Sequence, residues 1–151
     1  MSYEAKLVEL GYDLNAVELD NGKFVLAAQT GNLIFTAGCV PQWGERTILG
    51  KVGVDLTVEE GYEAAVLCTL NCLQAIKSIT GSLDKITRIV KVFGMVNAGP
   101  DFNNTPGVIH GCSDLLRHVF GDAGLHARSA IGLTVPFNYA VEIEMIVEVE
   151  A

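Results

Sequence analysis

From Thr57 to Ile79 the chain carries the pattern of one long helix, and no other stretch limits the fold as much. Thr57-Val58-Glu59-Glu60 has the form of a capping box, in which the Thr57 hydroxyl accepts from an orphan N–H and Glu60 reaches back. Gly81 marks the end. Tyr62, Val66, Leu70, Leu73 and Ile76 fall along one face, while Ala65, Cys68, Cys72, Ala75 and Ile79 fall along the next. An apolar sector this wide requires deep burial, so the rest of the chain must enclose the helix.

The remaining pattern supplies what encloses it. Ser2 caps a short helix through Leu7 and Leu10 that Gly11 stops. Val25–Gln29 and Leu33–Ala37 flank Thr30-Gly31-Asn32, which is hairpin chemistry. Loop-like chain follows around Gly44, Gly50 and Gly53. Ile86–Val96 is rich in β-branched residues and predicts a strand. Thr105-Pro106 opens a second helix, with Val108, Ile109, Cys112, Leu115, Leu116, Val119 and Phe120 at helical spacing and Gly121 at its end. Ser129–Val135, a turn at Pro136-Phe137-Asn138 and the alternating stretch Ala140–Glu150 complete the chain. This order predicts an α+β fold with two long helices on one face of a sheet. Leu33–Ala37 and Ile89–Val96 are apolar on both strand faces, yet two helices cover only one. A further subunit is therefore expected over part of the other, making the protein a homo-oligomer.

Composition narrows the function classes. At 151 residues the length fits one domain spanning 1–151, and 50% apolar against 19% charged residues excludes a disordered chain. The net charge of −8 leaves few cations to neutralise phosphates, which argues against nucleic acid as a partner. No signal peptide or membrane span is predicted. Cys39, Cys68, Cys72 and Cys112 lack the density of a disulfide scaffold, so the cytoplasm is the expected compartment. They lack the second ligand pair of a zinc site as well; buried free thiols and no metal are expected, with Cys39 the one near a cleft. His110, His118 and His126 sit eight apart, too far along a helix to share a metal, and read as surface or capping histidines. No nucleophile elbow, phosphate loop or dinucleotide fingerprint occurs, and no cofactor is expected.

The C-terminal stretch is the most informative. Ala127-Arg128-Ser129 opens one strand, Pro136 marks a turn, and Val141-Glu142-Ile143-Glu144 is expected to return antiparallel beside it. A guanidinium suits bidentate carboxylate binding, so Arg128 and Glu142 on one hairpin would give an anion clamp with a nearby acid/base.

Those residues also carry a family likeness. Gly31-Asn32-Leu33-Ile34-Phe35-Thr36-Ala37-Gly38, Pro41, Ala127-Arg128-Ser129, Pro136 and Val141-Glu142-Ile143-Glu144 resemble the signatures of the RidA/YjgF family, long labelled "endoribonuclease L-PSP". The likeness spans essentially the whole chain and is nearest to a longer branch with an added N-terminal helix. It implies a chorismate-mutase-like protomer with a mixed sheet, a homotrimer with clefts between subunits, and hydrolysis of enamines and imines such as 2-aminoacrylate to 2-oxo acids and ammonium. Arg128 matches the family's carboxylate-binding arginine and Glu142 its water-activating glutamate, while the Ala130 backbone matches the contact to the imine end or the water. Phe24, Ala37, Gly38 and Pro136 match further substrate-binding positions. Phe24 stands where the family has tyrosine, Ala37 where it has serine and Ala130 where it has cysteine. Three functions are consistent with this reading: a cofactor-free imine/enamine deaminase acting on a small carboxylate, a trimeric carboxylate-binding or regulatory protein without turnover, and, well behind them, the ribonuclease of the older label.

Overall fold

The computed structural model, which describes residues 1–151, opens with α1 (Tyr3–Glu9), where the Ser2 side chain accepts from the Ala5 N–H. β1 (Ala27–Thr30) and β2 (Leu33–Thr36) form an antiparallel hairpin in which Thr30 faces Leu33. Gly31 takes φ +56° at the first central position of the two-residue turn, a conformation that costs glycine nothing. β3 (Gln42–Trp43) and β4 (Arg46–Thr47) form a small second hairpin where the glycine spacing suggests only loop.

α2 (Val58–Thr80) is the long helix the sequence requires. Both halves of its capping box are made: the Glu60 N–H donates to Thr57 Oγ1 and the Thr57 N–H to Glu60 Oε1, each at 3.1 Å. β5 (Ile86–Asn97) follows, then α3 (Thr105–Phe120), β6 (Ala127–Leu133) and β7 (Val141–Val149). The Asn104 side chain caps α3 by accepting from the Gly107 N–H at 3.1 Å.

The mixed five-stranded sheet runs β1-β2-β7-β5-β6, and only β5 and β6 are parallel. Parallel neighbours need a crossover of a dozen or more residues, and α3 supplies it. This order corrects one expectation. β6 and β7 do not form a hairpin, because β5 lies between them and pairs with both. The Pro136 turn carries the chain past β5, not around to an adjacent strand.

α2 and α3 cover one face. Val141, Ile143, Met145, Val147 and Val149 point into the core beneath them. Two glycines set the layer spacing: a Cβ on Gly111 would come within 3.0 Å of the Tyr62 carbonyl carbon, and one on Gly94 within 2.6 Å of Ile109. The other face carries Glu142, Glu144, Ile146 and Glu148 beside Phe35, Phe93, Met95 and Ile131, and no helix of the chain lies over it. Phe35 and Ile131 stay about two-fifths exposed there.

All four cysteines are buried and free. The Cys68 and Cys72 thiols donate to the carbonyls of Val141 and Ile143 at 3.5 and 3.3 Å, which fixes α2 against β7. Burial raises both thiols well above their usual pKa and pushes Cys112 up to about 12, so these are packing groups, not nucleophiles. No helix is long and apolar enough to cross a membrane.

Candidate functional site

Glu142 is the second residue of β7, and strand alternation turns it to the open sheet face, away from the helices. Its row across the sheet continues through Met95 of β5 to Ile131 of β6. On its other side the chain leaves β2 through Ala37 and Gly38, and Cys39 pairs with Ile143 in both directions at 2.8 and 3.0 Å. That pairing lays the Gly38 backbone against the Glu142 side chain; a Cβ on Gly38 would stand 2.8 Å from Glu142 Cδ. No cationic side chain is paired with this carboxylate. Burial raises its pKa, and the neighbouring Glu144 adds to the rise. The result is a half-buried carboxyl group on an apolar row, more basic than an ordinary glutamate.

Arg128 lies elsewhere. It is the second residue of β6, opposite Val92, whose side chain is in the core, and so it points to the helix face. There its Nη1 donates to His110 Nδ1 at 3.0 Å and to Ser113 Oγ at 3.2 Å, both on α3. Ser113 Oγ is also 2.9 Å from His126 Nε2, and His126 Nδ1 is 2.7 Å from the Gly124 carbonyl oxygen. Burial lowers the His126 pKa, the hydrogen bond to Gly124 opposes it, and Arg128 and Arg117 add to the lowering; the net fall from 6.5 favours the neutral ring at neutral pH. His110 and His126, expected as surface or capping histidines, thus join one network around Arg128, His110 directly and His126 through Ser113. No spacing rule announces this, because the ring of His126 arrives from the loop before β6 while Ser113 belongs to α3.

Within the chain, then, Arg128 and Glu142 are on opposite faces of the sheet. They are two strands apart and three residues out of register, since Arg128 pairs with Val92 and Glu142 with Met95. Strand geometry makes that roughly 14 Å between Cα atoms. The other family-matched positions divide between the two. Ala37, Gly38 and Glu142 share one corner, whereas Phe24, 57% exposed, sits three residues before β1 in a turn closed by Asn21. Ala130 shares the helix-facing side of β6 with Arg128, and its carbonyl already accepts from the Thr105 hydroxyl at 2.9 Å. Pro136 stands exposed in the turn before β7. Beside β6 the structure adds a depression of about 540 Å³ that the sequence does not announce, lined by Phe102, Asn103, Thr105, Ile131 and Leu133 among others. No group of three or more His, Cys, Asp or Glu side chains gathers at metal-binding distance.

Comparison with known proteins fits this architecture. Residues 4–148 match the family model described as "YjgF/chorismate mutase-like, putative endoribonuclease". Protein TCP17 of Trypanosoma cruzi is 35% identical over 147 residues, covering 95% of this chain and 92% of that protein. A crystal structure of a protein of unknown function from Agrobacterium tumefaciens superposes with a TM-score of 0.91 at 37% identity, over 99% of this chain and 94% of that one. A "putative endoribonuclease" from Shewanella oneidensis superposes with a TM-score of 0.92 at 30% identity, over 99% and 100% of the two chains. Fold, sheet order and whole-length likeness agree, and the chain belongs to the YjgF/RidA family.

Proposed function

We propose that this protein hydrolyses reactive 2-imino and 2-enamino acids to 2-oxo acids and ammonium, without a cofactor, in a cleft between protomers of a homotrimer. The observation that carries the reading is Glu142: half-buried, free of any cation, raised in pKa and seated against the Gly38 backbone. A carboxylate made more basic by a dry surrounding is suited to take a proton from water. Arg128 holds the substrate carboxylate. The water activated by Glu142 then adds its hydroxyl to the carbon of the protonated imine, and Glu142 returns the proton it took to the nitrogen of the adduct. The carbon–nitrogen bond breaks as the new carbonyl forms, and the hydroxyl proton passes to the departing ammonia, which leaves as ammonium.

A small imino acid cannot bridge roughly 14 Å and two faces of a sheet. The reading therefore requires the Arg128 edge of one protomer to approach the Glu142 face of the next. The apolar side chains of Phe35, Phe93, Met95 and Ile131 support that association, because they lie on the face the chain's own helices leave open. The reading places the protein in the cytoplasm, where unpaired cysteines stay reduced.

One set of observations favours a second function. Phe24, Ala37 and Ala130 bring no polar side-chain atom to the site, which suits a protein that binds carboxylates without turning them over. Ammonia release from an enamine generated in situ by a dehydratase, measured beside 2-oxo acid binding, separates the two. The deaminase reading expects both. Binding with no acceleration of ammonia release would establish the binding protein. Ribonuclease action is the least supported, because a net charge of −8 leaves few cations to neutralise a phosphate backbone.

A further inference from the structure

We infer that Ser113 and His126 are positioning residues that aim the guanidinium of Arg128 at a carboxylate; this rests on the proposed role of Arg128. The hydrogen bonds around them admit one assignment of protons. The Gly124 carbonyl can only accept, so His126 Nδ1 carries the hydrogen in that 2.7 Å bond. Burial keeps the ring neutral, and Nε2 is then an acceptor. Ser113 must therefore donate its hydroxyl hydrogen to Nε2 at 2.9 Å, which leaves its oxygen lone pairs facing Arg128. His110 Nδ1 accepts from the same Nη1, since a guanidinium only donates.

The consequence lies in which hydrogens remain. Nη1 has two, and His110 and Ser113 take both, at 3.0 and 3.2 Å. The Nε–H and an Nη2–H, which point the same way in a planar guanidinium, are left as a free two-pronged edge. That edge is the fork that meets the two oxygens of a carboxylate in parallel. An unsupported arginine must give up its rotamer freedom when the ligand arrives, whereas here α3 and the His126 loop have already fixed it. A hydroxyl donated the wrong way would turn its hydrogen toward the cation, so His126 sets the polarity of the whole chain of bonds.

The test measures binding of a small 2-oxo acid by calorimetry, together with steady-state ammonia release, for wild type, Arg128→Ala, Ser113→Ala, Ser113→Thr and His126→Gln. Ser113→Ala is expected to weaken binding about 3- to 10-fold, the equivalent of one long side chain set free. KM should rise by the same factor while kcat stays within about twofold, as for lost uniform binding. Ser113→Thr, which keeps the hydroxyl, should restore wild-type binding, and His126→Gln should resemble Ser113→Ala. Wild-type affinity in Ser113→Ala overturns the inference while leaving the role of Arg128 standing. Equal loss in Ser113→Ala and Ser113→Thr overturns it too, because the defect would then be one of packing. Unchanged binding in Arg128→Ala would instead overturn the underlying reading of the site.

Discussion

The side chain of Glu142 lies across the backbone of Gly38, with Cδ 2.8 Å and Cγ 3.1 Å from where a Cβ on that glycine would sit. Gly38 does not adopt a left-handed backbone, so its lack of a side chain serves this approach and not a turn. In Gly38→Ala the carboxylate must swing away, which a flexible side chain does at little cost. Thermal unfolding should then show a stability change within about 0.5 kcal/mol. Ammonia release should fall with 2-oxo acid binding retained if Arg128 holds the anion as proposed.

Glu142 should also leave a mark on the pH dependence of stability. Burial raises its folded-state pKa above the ordinary 4.5, with Glu144 contributing, so the folded chain binds that proton more tightly than the unfolded chain. The stability this proton contributes is fully present below pH 4.5 and is lost as pH rises through the raised folded value. Glu142→Gln removes the cost of holding a buried charge. Denaturant titrations should find the variant more stable than wild type at pH 7, with the difference vanishing near pH 4.

For Arg128 the shape of the cation matters as much as its charge. Lysine offers a point charge and no fork, so Arg128→Lys and Arg128→Ala should both weaken 2-oxo acid binding by at least about 30-fold, the low end of losing a desolvated ion partner. Calorimetric titration gives the ratio directly. Glu142→Gln should bind within a fewfold of wild type and lose turnover alone.

These predictions draw unequally on what the sequence reveals. Helix α2 is legible because its capping box and wide apolar sector are local signals, and both are realised, in Thr57–Glu60 and in the burial of every residue from Ala64 to Ile76 except Asn71. The alternation of Val141–Val149 likewise assigns each side chain to a face. The neighbour of that strand is a different matter. Arg128 and Glu142 are close in sequence with a proline turn between them, which imitates a hairpin, yet β5 takes the place between their strands. A signal was present: a helix between β5 and β6 makes a parallel crossover, and that places β6 beside β5. The bond from Ser113 to His126 had none, because it depends on how a loop returns to a helix surface.

The contact between the helices offers a check on the fold that is independent of the site. Gly111 lets α3 cross α2 against the backbone of Tyr62, where an added Cβ would meet atoms that cannot move aside. Gly111→Ala should cost about 1–3 kcal/mol in a chemical denaturation experiment, the usual range for overpacking. It should do so although alanine is the better helix former.

The proposed cleft joins Arg128 of one protomer to Glu142 of another, a claim that subunit mixing puts to the proof. Arg128→Ala and Glu142→Gln are each expected to be inactive as pure proteins. When the two are unfolded together in equal amounts and refolded, random assembly around a closed ring pairs an intact Arg128 with an intact neighbouring Glu142 at about a quarter of the interfaces. The mixture should therefore regain about a quarter of wild-type ammonia release. A mixture as inactive as its two components, with hybrid trimers confirmed by mass spectrometry, would contradict the claim.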